Sequence, residues 1–415
     1  MKILFVHQNF PGQFPHLAPA LQARGHEVTA LTAEKNNRPS PVRVVKYREP
    51  QEITLSSRLT RMYAQVSERG LRAARAARQM RRDHGYVPDV IFGHPGWGET
   101  LYLREIWPEA RLLVYGELMY RTTGLDTDFD PEFARDGFDS RISTVARSAH
   151  LIQTIAQADA ALCPTQFQAD TFQPEFRSKI TVCHDGVDTD RLCPDPYAVF
   201  EIPEKGVSFR PGDEVITFVN RSLEPYRGYH SFMRALPDVL AARPQAHVLI
   251  VGEEGQSYGA APTDGISWKE RYLNEVRDRL DLARVHFLGR IPYDRYIKML
   301  QVSRVHAYLT YPFVLSWSLM ESMSVGCHVI GSDTAPVREM IRHGETGHLV
   351  DFFDIKGWSA RLTEALSSSE RFIPQRVAAR RAMVERYDLK RYCLPRLVEF
   401  VETAGQGPGR ALPAS

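Results

Sequence analysis

The chain has 415 residues, 43% of them hydrophobic and 25% charged, with a formal net charge of +2. That length exceeds what one ordinary core holds, so two domains are expected, and the composition is globular with enough apolar residues for two cores. A charge balance this near zero gives no global pull toward nucleic acid, which is not expected as a partner.

The five cysteines, Cys163, Cys183, Cys193, Cys327 and Cys393, are odd in number and form no CxxC pair. Several sit in apolar, strand-like runs, so they read as reduced, packed thiols of a cytosolic protein. The N-terminal MKILFVHQNF is a short strand without the apolar core and cleavage site of a signal peptide, and no stretch reaches transmembrane length. A soluble cytoplasmic protein is expected, one still able to sit on a membrane surface.

Residues 3–6 form an apolar run, followed by the Pro/Gly-broken turn QNFPGQF (8–14), a helical pattern to Arg24 and a strand over 28–31. This strand–loop–helix–strand unit opens a doubly wound α/β domain. Gly12 stands where such sheets bind ligands, and either lets backbone approach a diphosphate or makes the turn. Residues 56–83 read as a long helix with arginines at 58, 61, 69, 72, 75, 78, 81 and 82. Such a basic amphipathic helix suits peripheral association with anionic headgroups, or else presents a solvated arginine-rich face. Strands at 90–92 and 112–115 bring His94 and Glu117 to one sheet edge, where an imidazole and a carboxylate can handle protons or orient a hydroxyl.

Asp126, Asp128 and Asp130 have the spacing of a divalent-ion motif, yet the acidic, aromatic-poor loop favours solvated carboxylates, and no metal is expected. Two further strands, 159–162 and 180–183, complete a first domain over 1–195, and 196–212 reads as a linker. A second doubly wound domain follows over 213–385, with strands at 215–219, 247–251, 285–288, 304–309, 327–330 and 348–350. Arg221 and Arg227 flank the loop after its first strand, where guanidinium groups can hold a diphosphate. An amphipathic helix ends the fold within 386–404, expected to pack back toward the first domain, and 405–415 reads as a flexible tail.

The stretch LTYPFVLSWSLMESMSVGCHVIG (309–331) carries the main ambiguity. Ser318 and Glu321 have the Ser-x-x-Glu spacing of a capping box on a helix expected over 319–325. The same geometry lets the N–H groups of Ser318 and Leu319 meet phosphates while Glu321 accepts from ribose hydroxyls.

The segments ITVCHDGVDTDRL, FVNRSLEPYRG, LIVGEEG, VHFLGRIPYDRYIKML and APVREMIRHGETGHLV resemble, in order, those of retaining glycosyltransferases of sequence family four. The resemblance covers the C-terminal domain and, more thinly, 1–31 and 159–192. It implies the GT-B fold, two Rossmann-like domains facing across a cleft, and metal-independent transfer from a nucleotide-diphosphate sugar to an acceptor hydroxyl without a cofactor. It implies Arg221 and Arg227 on the diphosphate, with arginine replacing the usual lysine and one extra residue of spacing. It further implies Glu321 on the ribose, Arg290 near the base and His94 facing acceptor and donor sugar. The family's first motif glutamate is here Phe313. That leaves an unusual donor, a carboxylate supplied elsewhere, such as Glu117, or weakened catalysis. The leading expectation is front-side, retaining transfer in glycan, polysaccharide or glycolipid synthesis. The rivals are a nucleotide-sugar-binding pseudo-enzyme and a GT-B epimerase.

Overall fold

The computed structural model describes residues 1–133 and 137–406. They divide into two compact units, the first taking in Met1–Gly186 and the chain from Lys390 onward, the second Val187–Leu389.

The first unit is built on seven strands: β1 (Lys2–Val6), β2 (Glu27–Ala33), β3 (Arg43–Tyr47), β4 (Val90–Gly93), β5 (Arg111–Tyr115), β6 (Ala160–Cys163) and β7 (Ile180–Val182). They lie in the order β3-β2-β1-β4-β5-β6-β7, with every pairing parallel. From Ile3 to Val6 strand β1 is an unbroken apolar run because both of its faces are covered. Its alternate residues feed two cores. Leu4 and Val6 pack with Ala73, Ala77 and Met80 of helix Arg58–His84 and with Leu151 and Ile155 of helix Gly137–Gln157. Ile3 and Phe5 pack on the other face with Leu17, Leu21, Leu397, Val398 and Val401.

Helix Arg58–His84 starts where Ser57 Oγ accepts the Thr60 N–H and stops at Gly85, whose φ of 58° is left-handed. Its inward face is small because the backbone runs close to its neighbours: a Cβ on Gly70 would lie 2.6 Å from the Gly98 carbonyl oxygen.

In the second unit, β8 (Phe200–Ile202) and β9 (Val207–Phe209) form an antiparallel hairpin. They are followed by β10 (Val215–Ser222), β11 (His247–Glu253), β12 (Val285–Gly289), β13 (Val305–Tyr308), β14 (His328–Ser332) and β15 (His348–Val350). These six are parallel, in the order β12-β11-β10-β13-β14-β15. The stretch 196–212, expected as a linker, is instead part of this unit. Phe200, Ile202 and Phe209 of the hairpin are buried in its core, and the Pro-Glu-Lys-Gly turn between the strands masks their alternation in the sequence.

The terminal segment is one turn of π-helix, Leu389–Cys393, and then helix Leu394–Gln406. Residues 405 and 406, expected in the tail, are helical, and the rest of that tail, 407–415, lies outside the described residues. Among the described residues no helix is long and apolar enough to cross a membrane.

Candidate functional site

In the second unit the strand order reverses between β10 and β13, the point at which an open parallel sheet leaves a crevice at its carboxyl edge. Arg221, near the end of β10, is exposed and makes no ion pair among the described residues. The chain then turns through Pro225–Arg227 to Gly228, with φ of 70°, where a Cβ would lie 2.2 Å from that of Leu309. Glu224 is fully buried in this turn and accepts the N–H groups of Ser257, Tyr258 and Gly259 at 3.3 Å, tying the loop after β11 to the loop after β10. Burial raises its pKa, against those hydrogen bonds and the charge of Arg227.

Arg227, expected with Arg221 on the diphosphate, differs from it in being buried. The tight turn sends it inward, leaving it 3% exposed. Its Nη1 donates to Thr310 Oγ1 at 2.7 Å and to the Val314 carbonyl at 2.8 Å. The guanidinium carbon lies 4.8 Å over the ring of Tyr258 and 5.6 Å over that of Phe313. Tyr226 stands edge-on to Phe313 at 5.0 Å. An aromatic box thus occupies the place where resemblance implies a glutamate.

After β13 the chain enters helix Trp317–Ser324, whose N-cap is Ser316 with no side-chain cap. The capping-box reading is overturned, because the helix starts two residues before expected. Ser318 is then inside its first turn, and Glu321 is on its second, beyond reach of the N-cap amide. Instead Glu321 Oε1 accepts from the Tyr293 hydroxyl and Oε2 from the Tyr296 hydroxyl, both at 2.6 Å. Burial pushes the Glu321 pKa up, and the two phenols oppose that shift. Tyr293 is half-exposed whereas Tyr296 is buried, so the carboxylate has one wet side and one dry side. Each oxygen keeps a lone pair for a further donor. Ser318 Oγ hydrogen-bonds Ser316 Oγ at 2.8 Å, and Leu319 is buried with its N–H on the Ser316 carbonyl at 3.3 Å. Of the two expected phosphate amides, that of Leu319 is already engaged. Arg290 is exposed just past Gly289 at the end of β12.

In the first unit the corresponding reversal falls between β1 and β4, which deliver His7 and His94 with ring centroids 5.6 Å apart. His94 is buried between Trp97 (4.6 Å) and Tyr115 (5.6 Å). Its Nδ1 accepts the Gly96 N–H at 3.1 Å, so the neutral ring carries its proton on Nε2, 3.5 Å from Glu117 Oε2. The two residues paired from sequence are therefore brought together, at a separation long for a hydrogen bond. Gly12, with φ of 53°, lies against His7: a Cβ there would be 2.4 Å from Nε2. Its small size thus serves a packing contact of which the sequence carries no sign.

Sequence reasoning also passes over Asp185. It lies in the segment ITVCHDGVDTDRL, and Tyr115 donates to its Oδ2 at 2.8 Å. Burial pushes its carboxyl up to about 7, helped by nearby Glu117 and opposed by the Tyr115 hydrogen bond and His94. Burial holds His7 down at about 3 and His184 at about 4.

The acidic loop is not the solvated one expected. Asp126 and Asp130 are buried, Asp128 accepts the Gly124 N–H at 3.0 Å, and Asp130 that of Glu132 at 2.9 Å. These carboxylates brace the turn. Among the described residues no group of three or more His, Cys, Asp or Glu could hold a metal ion. All five cysteines are free, and burial raises Cys163 and Cys327 to about 12.

A family model described as "Glycosyl transferase family 4 group" matches residues 24–192, and one described as "Glycosyl transferases group 1" matches residues 201–383. A D-inositol 3-phosphate glycosyltransferase of Rhodococcus jostii is 27% identical over 241 residues, 57% of this chain and 50% of that one. The match thus spans about half of that relative's length. Sucrose-phosphate synthase from Thermosynechococcus elongatus superposes with a TM-score of 0.72 at 16% identity, covering 97% of this chain and 98% of that one. Anabaena HepE in complex with UDP-glucose gives 0.62 at 14%, over 97% and 98%. The fold is that of the GT-B glycosyltransferases. With both halves matched by family models, the chain belongs to the group 1 glycosyltransferases of family 4.

Proposed function

We propose that the protein transfers a sugar, with retention of anomeric configuration, from a nucleoside-diphosphate sugar to an acceptor hydroxyl in glycan, polysaccharide or glycolipid assembly in the cytoplasm. The observation that carries this reading is the pairing at the β10/β13 reversal of an unneutralised Arg221 with a helix whose Glu321 is held by two tyrosines. Glycosidic cleavage puts charge on the departing diphosphate. Arg221 and the amides opening helix Trp317–Ser324 would stabilise that charge, each such donor contributing roughly 3 kcal/mol. In this reading the chain's own cations do the work without a metal. Arg227 acts from behind, holding the 310–314 loop in place. Glu321 takes the ribose hydroxyls and Arg290 lies toward the base.

With Phe313 in place of a carboxylate, the reading favours front-face attack, in which the leaving phosphate accepts the acceptor proton. His94, its Nε2–H steered by Glu117, is assigned to orienting a hydroxyl. The uridine nucleotide named with HepE makes UDP-sugars the first donors to try. We extend the reading to peripheral membrane association through helix Arg58–His84.

The same Phe313 favours a second reading, a binding protein with weakened turnover. Thermal stabilisation by nucleotide sugars, together with assay of released nucleoside diphosphate, separates the two. Ligand at 100 times its Kd adds about 2.7 kcal/mol. The proposal expects stabilisation that Arg221→Ala and Glu321→Ala abolish, with acceptor-dependent release. Binding without release supports the second reading, and equal response of the variants removes the donor-site assignment.

A further inference from the structure

Helices Arg58–His84 and Gly137–Gln157 share one core on the same face of the first sheet, and the Tyr63 hydroxyl donates to Gln153 Oε1 at 2.8 Å between them. Their sides away from the sheet therefore point the same way. On the second helix that outer side is apolar: Phe138 is 63% exposed, Ile142 41%, Val145 61% and Ile152 37%. With exposed Ala149 they recur at alternating steps of four and three, a straight stripe along the helix. The inner side, with Leu151 and Ile155, is already used by the core. A surface facing only water has no need of this second apolar stripe.

The neighbouring helix supplies charge. Arg58, Arg61, Arg75, Arg78, Arg81 and Arg82 are exposed, with Arg81 turned to the Ile106 carbonyl. Its two acids are spent locally, Glu68 on Arg72 at 2.7 Å and Asp83 on Arg82 at 2.6 Å. A surface so cationic repels its own copy, so homotypic pairing across the stripe is disfavoured. It fits a partner that is negative at its boundary and apolar just beneath.

We propose that the two outer faces form one docking surface for an anionic lipid layer, with Phe138, Ile142, Val145 and Ile152 entering below the headgroups and the arginines meeting the phosphates. The proposal rests on the membrane association assigned above to helix Arg58–His84, and it adds the inserting element.

The test is co-sedimentation of the full chain with phosphatidylcholine vesicles, with and without phosphatidylglycerol, for three proteins: wild type, Ile142→Ser/Val145→Ser and Arg75→Glu/Arg78→Glu. Because the substituted side chains are exposed, unfolding temperatures should match. Wild type is expected on the anionic vesicles, with both variants reduced at least about tenfold. In a separate Val145→Trp protein, emission should be quenched by spin-labelled lipid. If the serine variant binds like wild type while the glutamate variant does not, the basic helix acts alone and the inserting stripe is wrong. Wild type failing on both vesicles overturns the stripe and the association together. A wild-type dimer in solution that the serine variant breaks would mean that a second copy covers the stripe, and would equally overturn the proposal. So would a vesicle-bound Val145→Trp protein whose emission the labelled lipid leaves unquenched.

Discussion

The guanidinium of Arg227 lies over the ring of Phe313, 5.6 Å from its centroid, and is bonded to Thr310 and Val314 at the two ends of the loop that carries it. A cation buried this way holds the 310–314 loop to the turn after β10. Arg227→Lys keeps the charge but loses the flat face that stacks on Tyr258 and Phe313 and the geometry that reaches two oxygens. It should cost about 1–3 kcal/mol in urea unfolding and weaken nucleoside-diphosphate binding with it. Full stability would show that the loop is held by other contacts.

Glu321 and its tyrosines divide fold from binding. Tyr296→Phe removes the buried donor to Oε2 and should cost about 1–3 kcal/mol of stability. Glu321→Gln can still bond both phenols, so its stability should stay within about 1 kcal/mol of wild type. Its loss should fall on nucleoside-diphosphate affinity, by about tenfold or more, since the charged acceptor for the ribose is gone. Calorimetric titration beside chemical unfolding gives both numbers. A glutamine variant that binds like wild type would contradict the ribose assignment.

Asp185 sets a pH signature. Its carboxyl is raised by burial to about 7, so from about pH 4 to 7 the folded chain keeps a proton that the unfolded chain has released. Stability from this group is therefore full at acid pH and falls as pH rises through 7. His7 and His184, held at about 3 and 4, act in the opposite sense, their contribution present above the ordinary histidine pKa and lost as pH falls. Asp185→Asn mimics the protonated acid and isolates the first effect. It should gain stability over wild type at pH 8, by up to a few kcal/mol at about 1.4 kcal/mol for each tenfold change in proton affinity, and the gain should vanish near pH 4. A pH-independent difference would mean that Asp185 ionises normally.

Gly12→Ala introduces a Cβ 2.4 Å from His7 Nε2 at a φ of 53°. Both the clash and the left-handed backbone disfavour it, and a loss of about 2 kcal/mol or more is expected in thermal unfolding. An unchanged midpoint would indicate that the His7 ring turns aside freely.

Much of this is legible in the sequence. The runs ILFV, VIF and LLVY mark β1, β4 and β5 because strands buried on both faces carry no polar alternation. Arg221, His94 and Glu117 stand out because they end such strands. The edge strand β3, RVVKY, escapes notice, since one exposed side dilutes its apolar pattern. Helix Gly137–Gln157 is hidden for a related reason: with apolar residues on its outer side too, it lacks the contrast that betrays a helix. The capping-box spacing at Ser318 is real, but where a helix begins depends on the loop before it. Asp185 stands out only once the fold brings it to the Tyr115 hydroxyl, 70 residues away in the chain.

The first unit is not contiguous: Leu397, Val398 and Val401 complete a core begun by Ile3 and Phe5. During synthesis, then, strand β1 waits for helix Leu394–Gln406. With only residues 1–186 emerged, the part of that face covered by Leu397, Val398 and Val401 stays bared for as long as the ribosome needs to add roughly two hundred more. At elongation speeds of about 5–20 residues per second that is on the order of ten seconds or more. The second unit has no such dependence on the C-terminus and can close as soon as its own residues are out. The order of translation is therefore the reverse of the order of completion, and the nascent N-terminal half is where a holding chaperone would be needed.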